Sequence, residues 1–275
     1  MEVNNLADFV KKVLKSQKNL SSYDLIGSIA VLELPSELQK HKKEIANFLL
    51  KKNKHIKTVA LRQKGRTKKF RIKKIKVIAG EKTSKTINTE SGCKFLMDLN
   101  KVYYTPRFSE ERLRIARQIE KNERVLVLFS GICPYPIVIE KKSSPESITA
   151  IELNKFAHKF AIKNIEINKC KKIIAINNDV KKELKKTIYK NSFHRIIMPH
   201  PTNALNYFSQ ALKCLKKQGI IHIYLFQKEK EDFNDLFKKV QKKVKKTKLK
   251  LFNAKRVRPY SKNLVQVVLD IKVKK

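Results

Sequence analysis

Cysteine is scarce in this 275-residue chain: Cys93, Cys133, Cys170 and Cys214 lie far apart, with no CxxC pair. Such scatter excludes a disulfide framework or a zinc ribbon, and the four read as reduced core or pocket residues of a cytoplasmic protein. The six histidines are equally dispersed, so no metal is expected. No stretch approaches the roughly 20 apolar residues that span a bilayer, and no membrane partner is expected. The opening MEVNNLADFVKKVLKSQ lacks the charged-then-apolar layout of a signal peptide. Acidic residues are also few, 24 Asp+Glu against 64 Lys+Arg, leaving a formal charge of +40. A compact fold gains nothing from such self-repulsion, so a polyanionic partner is the economical explanation, although a Lys- and Ile-rich composition supplies part of the excess.

What is present falls into two textures. Residues 1–21 hold a short amphipathic helix, with Leu6, Phe9, Val10, Val13 and Leu14 at helical spacing. Residues 22–105 form a small α+β unit. It has a strand over Tyr23–Leu34 that Pro35 stops, a helix over Ser36–Lys52, and strands over Thr58–Arg62, Phe70–Ala79 and Lys94–Asn100. From 106 to 275 strands alternate with helices, which implies a parallel sheet covered on both faces. The strands are RVLVLFSG, SITAIELN, KIIAINND, HRIIMPHP and GIIHIYLF, and the helices include Lys155–Asn168, Ala204–Lys217 with Gly219 as its C-cap, and Glu231–Lys246. Two closing runs without an intervening helix predict an antiparallel pair at one edge. The fold class expected is α/β, a Rossmann-like seven-stranded domain preceded by a small α+β domain.

In an open α/β sheet, ligands sit beyond the carboxyl ends of the strands. The first strand here ends in Phe129-Ser130-Gly131-Ile132-Cys133-Pro134, the second at Glu152, and the third at Asp179. A carboxylate at the second tip can accept both ribose hydroxyls of an adenosine cofactor, and Asp179 can take the adenine amino group. A dinucleotide would need GxGxxG to bring pyrophosphate onto a helix terminus, and only one glycine stands here. Glu152 alone would pass for a solvated strand-end acid; three such positions in order argue for an adenosyl group.

The segments KVYYTPRFSEERLRIA, VLFSGICPYPI, AIELNKFAHKFAIKNIEINK, HRIIMPHPTNALNYFSQAL, GIIHIY and RVRPYSKNLVQVVLDIKV run in one order. In that order the chain resembles the archaeal and eukaryotic tRNA (guanine-37-N1)-methyltransferase family. YDLIGSIAVLELP and VIAGE resemble that family's middle domain. The resemblance implies a monomeric methyltransferase that uses S-adenosylmethionine and binds the tRNA anticodon stem-loop, with base 37 as target. It implies that Glu111 is the general base and Arg71 a cation steadying the guanine oxygen. Tyr103, Tyr104, Arg107, Arg112 and His200 are then tRNA-facing, and Phe129, Gly131, Cys133, Glu152, Leu153 and Asp179 cofactor-facing. Three departures stand out: Val127 where the motif opens with Asp, Cys133 where it has a second glycine, and Pro199 where it has Asn. Pro199 with Glu152 resembles the branch linked to wyosine synthesis, which also methylates carbon 7 of 4-demethylwyosine.

Each role has a plainer rival. Glu111 can simply favour the dipole at a helix start, the tyrosines can be strand packing, and Arg71 in RTKKFRIKK can meet any phosphate. Two other functions stay open: transfer of the aminocarboxypropyl group of the same cofactor, and a noncatalytic tRNA-binding module.

Overall fold

The structure is a computed structural model that describes residues 5–15, 20, 22–63, 65, 70, 72–244 and 247–275. The chain divides into two compact units, Met1–Pro106 and Arg107–Lys275.

The first unit has α1 (Leu6–Asp8), whose start is capped by the Asn5 side chain and which runs into a π-helical turn, Phe9–Val13. The expected single strand over Tyr23–Leu34 is instead two, β1 (Asp24–Ile26) and β2 (Ile29–Leu32), folded back around Gly27. Gly27 has φ +55°, and a Cβ there would meet Thr86 Oγ1 at 2.2 Å and Ile87 O at 2.3 Å, so only glycine fits. A 3-10 turn, Ser36–His41, leads into α2 (Lys42–Lys52), followed by β3 (Thr58–Arg62) and β4 (Ile75–Gly80). These strands form one sheet in the order β1-β2-β3-β4, with β2 and β3 parallel. Ile45, Ala46 and Leu49 of α2 bury their face against Ala30, Leu32 and Val59. A second small sheet pairs β5 (Lys85–Glu90) with β6 (Cys93–Asp98) across Ser91–Gly92, both at positive φ as a tight hairpin requires. The segment of β5 reads as polar loop because its buried side is Thr86, Asn88 and Glu90. These are satisfied internally: the Asn88 amide donates to the Tyr104 hydroxyl, which donates to Glu90.

The second unit carries α3 (Ser109–Ala116), β7 (Arg124–Leu128), α4 (Pro134–Lys142), β8 (Ser147–Glu152), α5 (Lys155–Ile167) and β9 (Ile173–Asn177). It continues with α6 (Val180–Glu183), β10 (Phe193–Met198), α7 (Ala204–Cys214), β11 (Leu215–Lys228), α8 (Phe233–Gln241), β12 (Lys248–Ser261) and β13 (Leu264–Lys274). The sheet order is β12-β13-β11-β10-β7-β8-β9, the Rossmann-like arrangement expected. Strands β11 to β9 are parallel, while β13 pairs antiparallel with both β11 and β12. One face is sealed by Phe208 and Ala211 of α7 and Leu236 and Val240 of α8 against Leu126, Leu128, Ile196, Met198, Ile221 and Ile223. Each large aliphatic buried this way contributes about 1.5–3 kcal/mol.

Two expectations in this unit need correction. Helix α7 stops at Cys214, with Leu215 extended, and Gly219 lies inside β11 rather than capping a helix. Close approach explains the glycine: a Cβ would sit 2.7 Å from His194 O. Helix α4 went unrecognised in PYPIVIEKK because of its two prolines. Both fall in the first turn, where the backbone N–H groups have no helical acceptor to lose.

Candidate active site

The chain runs outward from β7 to β8 and β9, then crosses back to β10 on the other side of β7. The switch point therefore lies between β7 and β10, where an open sheet leaves a crevice beyond its strand tips. Beyond β7, Phe129, Gly131 and Cys133 have φ of +55°, +59° and +64°. Nothing lies within 4 Å of where a Gly131 Cβ would be, so the loop faces open space at that point.

Glu152 closes this loop onto β8. Its Oε2 accepts the Gly131 N–H at 2.8 Å, and its Oε1 accepts the Asn154 N–H at 2.7 Å. Each oxygen keeps acceptor capacity for an incoming hydroxyl. Burial pushes the carboxyl above its ordinary value, against the opposing pull of the Asn154, Gly131 and Leu153 N–H groups. The Asn177 amide donates to Glu152 O and Leu153 O, and the Asn178 N–H donates to Glu152 O, tying the β9 tip to the β8 tip. Asp179 caps α6 by accepting the Lys181 N–H at 2.7 Å. Leu153 and Phe156, which follow β8, are 39% and 40% exposed.

Past β10 come Pro199 and His200, both half-buried. The Phe129 ring lies 5.1 Å from the His200 ring and 5.5 Å from that of Tyr207. Val127 is fully buried inside β7, paired with Ala150 and Ile197, so it presents nothing to the crevice. The residues at these tips suit an adenosyl group: a carboxylate with spare acceptor capacity, apolar side chains, open space over one glycine and no phosphate clamp.

Glu111 is buried, at 3% exposure, in the first turn of α3. Its Oε1 accepts from the Tyr224 hydroxyl at 2.6 Å and from Arg114 Nη2 at 2.8 Å, and its Oε2 accepts from Arg114 Nε at 2.8 Å. The Tyr224 ring lies 6.0 Å from that of Tyr135, near the start of α4 and just past the β7 loop. Burial raises both phenols well above their ordinary range, so both remain protonated. Arg112 is buried and Arg107 is exposed.

In the first unit, Tyr103 is 45% exposed, while Tyr104 is 8% exposed, with its ring against Phe95 and its hydroxyl between Asn88 and Glu90. Tyr104, expected to be tRNA-facing, is thus employed in packing and hydrogen bonding within its own unit. Arg71 lies outside the described residues. Asn154, Tyr207, Tyr224 and Arg114 were missed by sequence reasoning. Only Asn154 had a local signal, as an Asn before a helix whose side chain caps the Phe156 N–H. Among the described residues no cluster of three His, Cys, Asp or Glu side chains could hold a metal. No helix among them is long and apolar enough to cross a membrane.

Residues 86–252 match the family model described as TRM5/TYW2 methyltransferase domain. The chain belongs to the TRM5/TYW2 methyltransferase family. Residues 6–83 match a second model, TYW2 N-terminal domain. The chain is 29% identical to tRNA (guanine(37)-N(1))-methyltransferase Trm5b of Pyrococcus abyssi, over 92% of its own length and 75% of that protein. It is 32% identical to the tRNA (guanine(37)-N(1))/4-demethylwyosine(37)-methyltransferase Taw22 of Nanoarchaeum equitans, over 76% of its own length and 85% of that protein. Its fold superposes on aTrm5 in the complex with tRNALeu at a TM-score of 0.84 and 28% identity, covering 99% of this chain and 79% of that one.

Proposed function

We propose that this TRM5/TYW2 family member transfers a methyl group from S-adenosylmethionine to N1 of guanine 37 in tRNA, and to carbon 7 of 4-demethylwyosine at the same position. The observation that carries the reading is the Glu152 carboxylate at the tip of β8, suspended between the Gly131 and Asn154 N–H groups with acceptor sites to spare. Similarity to Trm5b and Taw22 supports the choice of base, and the +40 charge suits a polyanionic substrate.

When bound, S-adenosylmethionine supplies an electrophilic methyl carbon on a sulfonium centre. Glu152 would hold the ribose hydroxyls, Phe129 and Leu153 would give the adenosyl group apolar contact, and Gly131 and Cys133 would shape the loop around it. Asp179 would take the adenine amino group. Guanine N1 carries a proton near neutral pH, so its lone pair is unavailable until a base removes that proton. Glu111 is that base. Its Oε1 already accepts two donors and its Oε2 only one, so Oε2 receives the proton. The base must leave its stack to reach the chemistry, and Tyr103 and Arg107, both exposed, are tRNA contacts. Pro199 and His200 line the target-base side of the crevice, where proline offers no side-chain amide and so tolerates a tricyclic base as well as guanine.

The match of residues 6–83 to the TYW2 N-terminal domain favours a second reading, transfer of the aminocarboxypropyl group of the same cofactor. The purified protein, the cofactor and two substrates decide between them: a transcript with guanine at 37, and tRNA bearing 4-demethylwyosine. Mass spectrometry of the digested nucleosides is expected to show one added methyl on each. An aminocarboxypropyl adduct selects the second reading, and no incorporation on the tricycle removes the carbon-7 activity.

A further inference from the structure

Glu111 is the end of a longer chain of buried polar groups. Arg114, which forks onto Glu111, also donates to Asp270 at 2.6 and 3.3 Å. Asp270 accepts from His222 Nδ1 at 2.6 Å and from the Asn253 amide at 2.8 Å. His222 Nε2 faces Arg195 Nη1 at 2.9 Å, and Arg195 forks onto Glu123 at 2.7 and 2.8 Å while also donating to Gln118 O. Asp270 and His222 are fully buried, and Arg195 is 1% exposed.

The protonation states follow from the donors. A guanidinium has only N–H groups to offer, so the His222 Nε2 that meets Arg195 must accept. The His222 proton is therefore on Nδ1, aimed at Asp270, and the ring is neutral. Burial, and Arg195 beyond it, hold that ring below its ordinary value in agreement with the geometry. The chain then contains three carboxylates (Glu111, Asp270, Glu123) and two guanidiniums (Arg114, Arg195), a net charge of −1. Uptake of one proton at Glu111 brings it to zero.

A buried ionic chain of this kind is an expensive way to fill space, since well-packed apolar groups commonly do as well or better. What it supplies is orientation. Arg114 is 20% exposed on a short helix, and without Asp270 it would have one carboxylate to hold and freedom to swing outward. With Asp270 anchored from behind by neutral His222 and at its side by Asn253, the guanidinium is clamped between two carboxylates. Both oxygens of Glu111 are thereby fixed.

We propose that Asp270 is a positioning residue for the proton transfer, acting through Arg114 on the carboxylate of Glu111. The inference rests on the reading of Glu111 as base, and deepens it by assigning a role to a residue on the last strand. Asp270→Asn keeps the shape but turns one acceptor into a donor among donors. Single-turnover methyl transfer to a guanine-37 transcript is expected to slow 10- to 100-fold in D270N, with tRNA and cofactor dissociation constants within twofold of wild type. In an E111Q background, D270N should add nothing further. If D270N destabilises the protein too far to purify, R114K serves instead. It keeps the charge but loses the fork, and the same slowing without loss of binding is expected.

A folded D270N or R114K enzyme within threefold of the wild-type rate overturns the proposal. So does a rate loss matched by weakened binding, or an additive effect in E111Q, because a merely structural residue behaves that way. The underlying reading fails separately, and the proposal with it, if the wild type places no methyl on guanine N1 or if E111Q alone is fully active. If wild type is active, E111Q is strongly but measurably slowed and D270N is unimpaired, the proposal alone falls.

Discussion

The carboxylate of Glu152 and the backbone N–H of Gly131, 21 residues apart, meet at 2.8 Å and fasten the loop after β7 to the tip of β8. One side chain thus both shapes the loop and offers acceptors to a ligand. Glu152→Gln makes one of its two terminal atoms a donor, facing either the Gly131 or the Asn154 N–H. Loss of a charge-assisted bond of this kind costs about 1.5–3 kcal/mol, so cofactor affinity by isothermal titration should fall about 10- to 100-fold.

The same residue gives a pH dependence with opposite signs in the free and bound protein. Burial raises the Glu152 carboxyl in the folded state. Through the window just above the ordinary carboxylate range, the folded protein therefore binds more protons than the unfolded one. This group's contribution to the free protein's stability falls as pH rises there. Ligand affinity rises over the same window, because the ribose hydroxyls need the ionised form. Titrations between pH 4 and 7 in parallel with thermal melts check both slopes; E152Q should flatten each.

Arg195 and Glu123 test the stability side of the buried chain. Arg195→Met removes a fully buried guanidinium and leaves Glu123 and His222 facing apolar surroundings. Breaking a buried pair from one side costs about 3–5 kcal/mol, measured here by denaturant unfolding. The double variant R195M/E123L should recover most of that loss. If the single variant is as stable as wild type, the pair is not the constraint its geometry implies.

Much of the second unit was legible because its parallel strands are short apolar runs and its helices carry regular faces. The positions just beyond the strands were legible as well, since Glu152 ends β8 while Gly131 and Asp179 follow β7 and β9 within three residues, and such positions can be counted along a chain. The failures have separate physical causes. Strand β5 hides because Thr86, Asn88 and Glu90 bury polar groups that pay their desolvation within the unit. Helix α4 hides behind prolines that are harmless at its start. The chain from Glu111 through Arg114 and Asp270 to Glu123 is invisible because its links join residues up to 156 positions apart, and nothing local about Asp270 in QVVLDIKV marks it.

Gly219 was expected to end a helix and instead lies in β11 under the carbonyl of His194. Gly219→Ala would place a methyl 2.7 Å from that oxygen and 2.7–2.9 Å from the Leu215 side chain. Leu215 can turn aside, but the His194 carbonyl is backbone, held between Phe193 and Arg195 where β10 and β11 shift register, and it yields less readily than a side chain. Overpacking of this sort costs about 1–3 kcal/mol, and G219A should lower the midpoint of thermal unfolding accordingly. An unchanged midpoint would mean that β10 and β11 yield more easily than their pairing suggests.

Cys133 stands where the sequence resemblance leads to the expectation of glycine, and its φ of +64° and ψ of +38° are values that glycine adopts without strain. A side chain in this left-handed conformation costs about 1–2 kcal/mol. The residue is also fully buried, its thiol 3.9 Å from Ser130 Oγ, and burial of a small apolar group returns a similar amount. Cys133→Gly should therefore change stability by less than about 1 kcal/mol, since relief of strain and loss of packing offset each other. Cys133→Val keeps the volume but adds a branch at Cβ where the backbone already crowds it, so it should destabilise by more than either. Burial also pushes the Cys133 thiol up to about 12, leaving it protonated and without a path to solvent. At pH 8 iodoacetamide should label the half-buried Cys170 first and leave Cys133 untouched until the protein unfolds. Labelling of Cys133 in the native protein, read by peptide mass spectrometry, would show that the loop after β7 opens on its own. The fixed bridge between Gly131 and Glu152 would then have to be given up.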